Sequence, residues 1–399
     1  SILINGSATG AWAWGENTYK LTDKDGDATT YTITLTEAAH YEAQIGTTGY
    51  ATLVAAVAEA QADDVVKLLD NVDLMATGLT IAENITLDLN GFNIKAGEQI
   101  DNDIVVPAGK KLTLVDNSTD ADGKIYTEQA YTGSATGYGV VRVAGEFLMQ
   151  SGNIYAVIDS DPANLGQFAV VLGAGGKATI EGGQIKAGWY AISNNGNNTG
   201  STIIVSGGEL ISTADFAIYN PAKESTVTVS GGVVYGAAGG IAMNRGELTV
   251  TGGTITSKDQ GTTGTWGDGT GGMSNAAISA SGKYESVEVE ISGGTIIAEG
   301  TAVMITNGTT NPVEIAISGG QFSHVVPAEY CADGFAPVTE PNTQGKYEVE
   351  DKRIYIFDGS TMSNMATSPS GAISWAKVGD VMSATDKSGT YDEGNYTKA

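Results

Sequence analysis

IIVSGGEL, residues 203–210, alternates apolar side chains up to a glycine pair and then resumes with another apolar residue. Six further stretches repeat it: FLMQSGNI (147–154), ATIEGGQI (178–185), VTVSGGVV (227–234), LTVTGGTI (248–255), VEISGGTI (289–296) and IAISGGQF (315–322). The first small residue of each pair falls at Ser151, Gly182, Gly207, Gly231, Gly252, Gly293 and Gly319, in steps of 31, 25, 24, 21, 41 and 26 residues. A phrase returning at this interval marks a solenoid, one coil per copy. Coils of 21–26 residues suit three short strands joined by bends, and the long step is filled by KDQGTTGTWGDGTGGMSN (258–275).

Registering the copies gives three apolar columns. They run from Phe147 to Ile315, from Met149 to Ile317, and from Ile154 to Phe322. Residues two apart on a strand point to the same side, so these columns face one interior. Burying about four apolar side chains per coil, at roughly 2 kcal/mol each, offsets much of the ordering cost once coils stack. Upstream of each copy lies another short apolar run, as in WYAISNN (189–195), DFAIYNP (215–221) and GGIAMNR (239–245). Asn194, Asn220, Asn244 and Asn307 end these runs, which suits left-handed turns and a stacked hydrogen-bonded ladder. The expected fold is all-β: a right-handed parallel β-helix with a short N-terminal capping helix and non-repeat β segments at both ends.

The organisation follows. Residues 1–45 form a β segment with a hairpin around Asp25-Gly26, and its first strand is a candidate assembly strand. Residues 46–70 hold the capping helix, with Tyr50, Leu53, Val54 and Val57 on one stripe and Thr47 or Thr48 as N-cap, followed by the first strand. Residues 71–330 are the β-helix. Residues 331–358 close it, with 346–357 read as a hairpin, and 359–399 form an unpatterned tail, a second candidate assembly segment. A cover is needed because an open β-helix end exposes apolar side chains and unpaired backbone.

The leader YATLVAAVAEAQADDVVKLLDNVDL (50–74), the phrase NITLDLNGFNI (84–94) and the terminal ISGGQFSHVVPAEYCADGF (317–335) together resemble the β-helical, pectate-lyase-like repeat modules of large surface and adhesin-like proteins of gut bacteria. The similarity covers roughly residues 46–350, by alignment of the repeat with this solenoid class. It implies an extracellular module without an assigned activity. It says nothing of the two ends.

Composition narrows the functions. Lys+Arg 20 against Asp+Glu 46 leaves a formal charge of −26, which repels phosphate backbones and argues against nucleic-acid partners. Cys331 is alone, which leaves no intrachain disulfide, zinc cluster or iron–sulfur site. No apolar run is long enough to cross a bilayer. Ser1 is expected to follow either an excised leader or an excised initiator Met.

Chemistry was sought at the positions flanking the small-residue pairs. A glycosidase needs two carboxylates about 5–9.5 Å apart. Glu181 is the one acid in the column before the pair and Glu209 the one acid in the column after it, so neither column supplies an acidic couple. His40 and His324 are the only histidines, and neither lies in a nucleophile motif. The chain therefore reads as non-enzymatic, with no cofactor required. Ca2+ is the one ion with candidate ligands: Asp23, Asp25 and Asp27 around Gly26, and Asp116, Asp120 and Asp122 before Gly123. Both groups lack EF-hand spacing, and turn chemistry explains either of them. Trp266 in the long insertion, and Trp189 with Tyr190 at a strand start, are candidate sugar platforms.

These readings converge on a structural or adhesive solenoid at the cell surface. Its expected partner is itself, in an oligomer or filament built through the terminal segments, with a glycan or host surface as a further ligand. The alternatives are a carbohydrate-binding or polysaccharide-cleaving β-helix module and a phage virion fibre or decoration protein.

Overall fold

The computed structural model describes residues 40–75, 77–96, 102–128, 139–157, 168–194, 198–258, 276–305 and 310–352. It also describes the backbone of seven outlying strands: Ala11–Trp14, Asn17–Asp23, Tyr31–Thr34, Ile354–Asp358, Thr361–Ala366, Val381–Ser383 and Tyr396–Thr397. The architecture is a parallel β-helix with three faces. The first face stacks the strands that precede each glycine pair, among them Lys177–Ile180, Thr202–Val205 and Thr226–Val229. The second stacks the strands that follow it, such as Gln184–Ala187, Glu209–Ser212 and Val233–Gly236. The third is a nine-stranded sheet that includes Phe168–Leu172, Phe216–Asn220 and Gly239–Met243.

Apolar alternation sets the register. Phe147, Ala178, Ile203, Val227, Leu248 and Val289 lie opposite one another from coil to coil and are buried. Ile315 continues this column in the last coil and is only half-buried, because no further coil covers it. The third face adds Val170, Ile192, Ile218 and Ile241, all fully buried.

The two glycines of each pair do different work. A Cβ on Gly207 would lie 2.0 Å from the Glu181 carbonyl oxygen, so the first position permits contact between successive backbones. Gly208 has φ +70, the left-handed region that turns the chain from the first face to the second. Ser151 stands in the first position of its copy and spends its hydroxyl on the coil below, accepting from Asp116 N at 2.7 Å.

At each end of the solenoid, one face of the ladder is covered by a strand running against it. At the start, Ala43–Ile45 pairs antiparallel with Thr48–Tyr50 and with the first coil strand, Val65–Leu68. This hairpin takes up Thr48 and Tyr50, so the capping helix begins later than the sequence implied, at Leu53–Glu59. Thr52, not Thr47 or Thr48, is its N-cap, accepting from Ala55 N at 3.1 Å. The buried stripe is Leu53, Ala56 and Val57, while Val54 faces solvent.

At the other end Tyr347–Asp351 runs antiparallel to Gln321–Phe322 and to Phe335–Pro337. The expected 346–357 hairpin does not form. The reversal lies earlier, where Asn342 N donates to Lys346 O at 2.7 Å and Gly345 has φ +72. Lys352-Arg353 lacks the Asn-Gly chemistry of a two-residue turn. Ile354–Asp358 pairs instead with Thr361–Ala366 and Val381–Ser383, and Tyr396–Thr397 completes a four-stranded antiparallel sheet in the tail. The N-terminal segment is a three-stranded antiparallel sheet, Ala11–Trp14 against Asn17–Asp23 against Tyr31–Thr34. The expected hairpin is therefore present, and its turn residues lie outside the described residues. No helix among the described residues is long and apolar enough to cross a membrane.

Candidate functional site

A second buried cluster, separate from the main core, gathers around the strands of the third face. Phe168, Trp189, Tyr190, Phe216 and Tyr219 form an apolar cluster of their own with Val171, Ala238 and Ala242. Tyr190 stacks on Tyr219 with ring centres 4.8 Å apart, and Phe168 meets the Trp189 and Tyr190 rings at 5.1 Å each. Gly239 makes the cluster possible, since a Cβ there would strike the Phe216 ring. Asp215, fully buried, accepts from Trp189 Nε1 at 3.2 Å and from Phe216 N at 2.9 Å. Ser212 Oγ donates to the Trp189 carbonyl oxygen and accepts from Asp215 N at 2.9 Å. Burial pushes the Tyr190 phenol well up, helped by the Asp215 carboxylate; burial does the same to Tyr219. Both therefore stay protonated at any ordinary pH.

Trp189 and Tyr190 are thus 9% and 1% exposed, interior residues rather than an open sugar platform. Sequence reasoning could not tell them from a surface platform at a strand start, because a strand with both sides covered shows no alternation. It missed Asp215 and Tyr219 altogether for the same reason. Trp266 lies outside the described residues.

The asparagines ending these runs are buried, and two of them join directly: Asn194 Nδ2 donates to Asn220 Oδ1 at 2.5 Å. Asn220 Nδ2 donates to Ser225 Oγ at 2.7 Å and to the Arg245 carbonyl oxygen at 3.0 Å. The ladder stops there. Asn244 Nδ2 turns to Tyr219 OH at 3.0 Å. None of the three has a positive φ, so the expected left-handed turns are absent. Asn307 lies outside the described residues. Beyond Asn244, the Arg245 guanidinium packs over the Tyr284 ring at 5.2 Å and donates to the Pro221 carbonyl at 3.1 Å. Glu285 accepts from Lys223 at 3.2 Å.

Among the described residues, the candidate Ca2+ ligands Asp116, Asp120 and Asp122 do not converge. Asp116 is buried, with Oδ1 accepting from Gly91 N at 2.9 Å and Ser118 N at 3.0 Å, and Oδ2 from Gly123 N at 2.7 Å. Asp120 and Asp122 are exposed, and the described residues contain no group of three or more metal-binding side chains. Asp23 ends a strand opposite Tyr31, while Asp25 and Asp27 lie outside the described residues.

Asp116 works as a turn anchor. Burial raises its pKa, but the N–H groups of Ser118, Gly123 and Gly91 outweigh burial and hold it below the ordinary value. A depressed folded pKa gives stability that is complete above the unfolded value and lost as pH falls through the folded one, below about pH 4. Asp116→Asn is expected to cost about 2 kcal/mol at neutral pH, from the weakened charge-assisted bonds, and to flatten the acid limb of stability. Urea titrations between pH 3 and 7 measure both; an unaltered acid limb would remove Asp116 from this role.

The last coils carry a different feature. Glu247, Glu288 and Glu314 stand in register on successive strands of the first face. Glu288 and Glu314 line a cleft of about 440 Å3 whose other wall holds Glu329, Cys331 and Asp333. Sequence reasoning passed over this column because it lies farther from the glycine pair than the positions it searched. Glu181 and Glu209 do behave as surface residues, each accepting from the amide of the coil before it, Gln150 at 3.0 Å and Gln184 at 2.7 Å. Burial and the Glu329 carboxylate push the Cys331 thiol up, away from the reactive thiolate. Ser323 Oγ lies 3.0 Å from His324 Nδ1, yet it is tied to both backbone groups of Ala298, accepting at 2.9 Å and donating at 3.0 Å. That hydroxyl holds a turn and is not poised as a nucleophile.

Compared with protein-family models, with curated proteins and with solved structures, the chain gives no significant match in any of the three. The class defined by the fold is a capped parallel β-helix, and the function rests on this chain's own residues.

Proposed function

We propose that this protein is a non-enzymatic structural or adhesive β-solenoid of the cell surface, joined to further copies through the small sheets at its two ends. The observation that carries the reading is the presence of a small antiparallel sheet beyond each end of the coils. An antiparallel strand covers one face of the ladder at each end, which hinders coils of separate molecules from stacking directly. Among the described strands, Ala11–Trp14 and Tyr31–Thr34 are the outer ones of the N-terminal sheet and Thr361–Ala366 and Tyr396–Thr397 those of the C-terminal one, and in this reading an outer strand accepts a strand from a neighbour. A contact between unlike ends is heterologous and extends into a filament when its rotation does not close. The interior supports the structural side of the reading: its stacked apolar ladders stiffen a rod.

The test is electron microscopy with light scattering on the full chain and on chains lacking residues 1–20 or 359–399. The full chain is expected to form filaments and each truncation to remain single, with the far-ultraviolet β signal of the solenoid kept. Unchanged filaments from both truncations would sink the terminal-sheet route.

A further inference from the structure

On the outward side of the second face, parallel register sets Tyr126 beside Tyr155 and Tyr155 beside Lys186. Ile211 ends that column, and the neighbouring outward column carries Lys124, Asn153, Gln184 and Glu209 on the same four strands. Adjacent strands are about 4.8 Å apart, so these side chains form a narrow strip along the rod. The strip is pre-ordered. Lys124 Nζ lies 4.9 Å from the Tyr126 ring centre and 5.9 Å from that of Tyr155. Gln184 Nε2 donates to Glu209 Oε2 at 2.7 Å. All but Glu209 are half-buried, lying on the sheet instead of extending into solvent, so little side-chain entropy is lost when something settles on them.

The chemistry of the strip is specific. Tyrosine rings give apolar bodies with polar tips, the amide both donates and accepts, the ammonium groups donate and the carboxylate accepts. A pyranose chain offers the complement: flat C–H faces for the rings and hydroxyls for the polar groups, with successive sugars meeting successive coils. Charge selects among such chains. Two ammoniums against one carboxylate leave the strip near neutral, while the whole chain carries −26 and repels polyanions.

We propose that the second face between Lys124 and Glu209 is a binding track for an uncharged polysaccharide lying along the rod. The proposal rests on the reading of the molecule as an adhesive rod and gives that rod its ligand class. Affinity electrophoresis of the full chain tests it, in gels holding galactomannan, mixed-linkage β-glucan or arabinoxylan, with polygalacturonate as the charged control. At least one neutral gel is expected to retard the protein and polygalacturonate none. The double variant Tyr126→Ala/Tyr155→Ala is expected to raise the dissociation constant roughly tenfold or more, and Gln184→Ala to raise it as well. Circular dichroism checks that the variants fold. No retardation in any neutral gel, retardation of both variants equal to that of the wild type, or retardation by polygalacturonate alone would overturn the proposal. Filament imaging of the same proteins keeps the two readings apart: sugar binding without filaments defeats only the assembly route, and filaments without sugar binding defeat only the track.

Discussion

Gly207→Ala is expected to open the solenoid in its middle, at a cost of about 4 kcal/mol, the upper end of single-site effects. The added Cβ would meet the Glu181 carbonyl oxygen at 2.0 Å, a backbone atom that cannot rotate away. Nor can the two coils part, because Ser206 N donates to Ile180 O and Glu209 N to Gly183 O at 2.9 Å on either side of the contact. Gly175→Ala supplies the control. Its φ of +69 is left-handed, which the backbone at Gly207 is not, and nothing lies within 4 Å, so only the conformational term of about 1–2 kcal/mol applies. Solenoid stability is a sum over neighbouring coils, which makes the damage local. Hydrogen exchange should therefore quicken around residues 178–212 in Gly207→Ala and stay native near the capping helix. Equal urea midpoints for the two variants would refute the crowding argument.

Asn220→Ala is expected to cost about 3 kcal/mol, since a buried network loses its centre. Asn220 is fully buried and accepts from Asn194 while donating to Ser225 and to the Arg245 carbonyl, so one truncation withdraws partners from three coils' worth of polar groups. Asn220→Asp probes the same place differently. It keeps the acceptor for Asn194 but replaces the donor with a buried charge, and its loss should shrink as pH is lowered and the new carboxyl becomes neutral. A urea midpoint within about 0.5 kcal/mol of wild type for Asn220→Ala would show that the asparagines merely fill space.

The coils were legible in the sequence because their determinants are local and repeated. Apolar alternation fixes which side of Thr202–Val205 faces inward, and the following glycine pair fixes where the chain bends. The ends were less legible because each depends on a partner distant in sequence or on a cap whose candidates compete. Thr47, Thr48 and Thr52 are all competent N-caps; the hairpin of Ala43–Ile45 with Thr48–Tyr50 decides among them. Likewise Tyr347–Asp351 is a strand by composition, but its pairing with Phe335–Pro337 depends on the turn at Asn342–Gly345. The third face hid its chemistry most thoroughly. Phe216–Asn220 is buried at all five positions, so Tyr219 and the neighbouring Asp215 look like ordinary strand residues until the cluster around them is seen. The strip from Lys124 to Glu209 is spread over four coils, so only the register of the strands draws it together.

The strands at the two ends also make the molecule a ruler. Residues 43–45 and 347–351 each oppose the direction of the ladder on one face, so a turn appended outside them would lack a parallel partner there. Duplicating an internal repeat meets no such obstacle, and each duplication extends the shaft by one inter-strand spacing, about 4.8 Å. Gene-level copy number is thereby translated into reach in fixed increments, with the fittings at both tips left untouched.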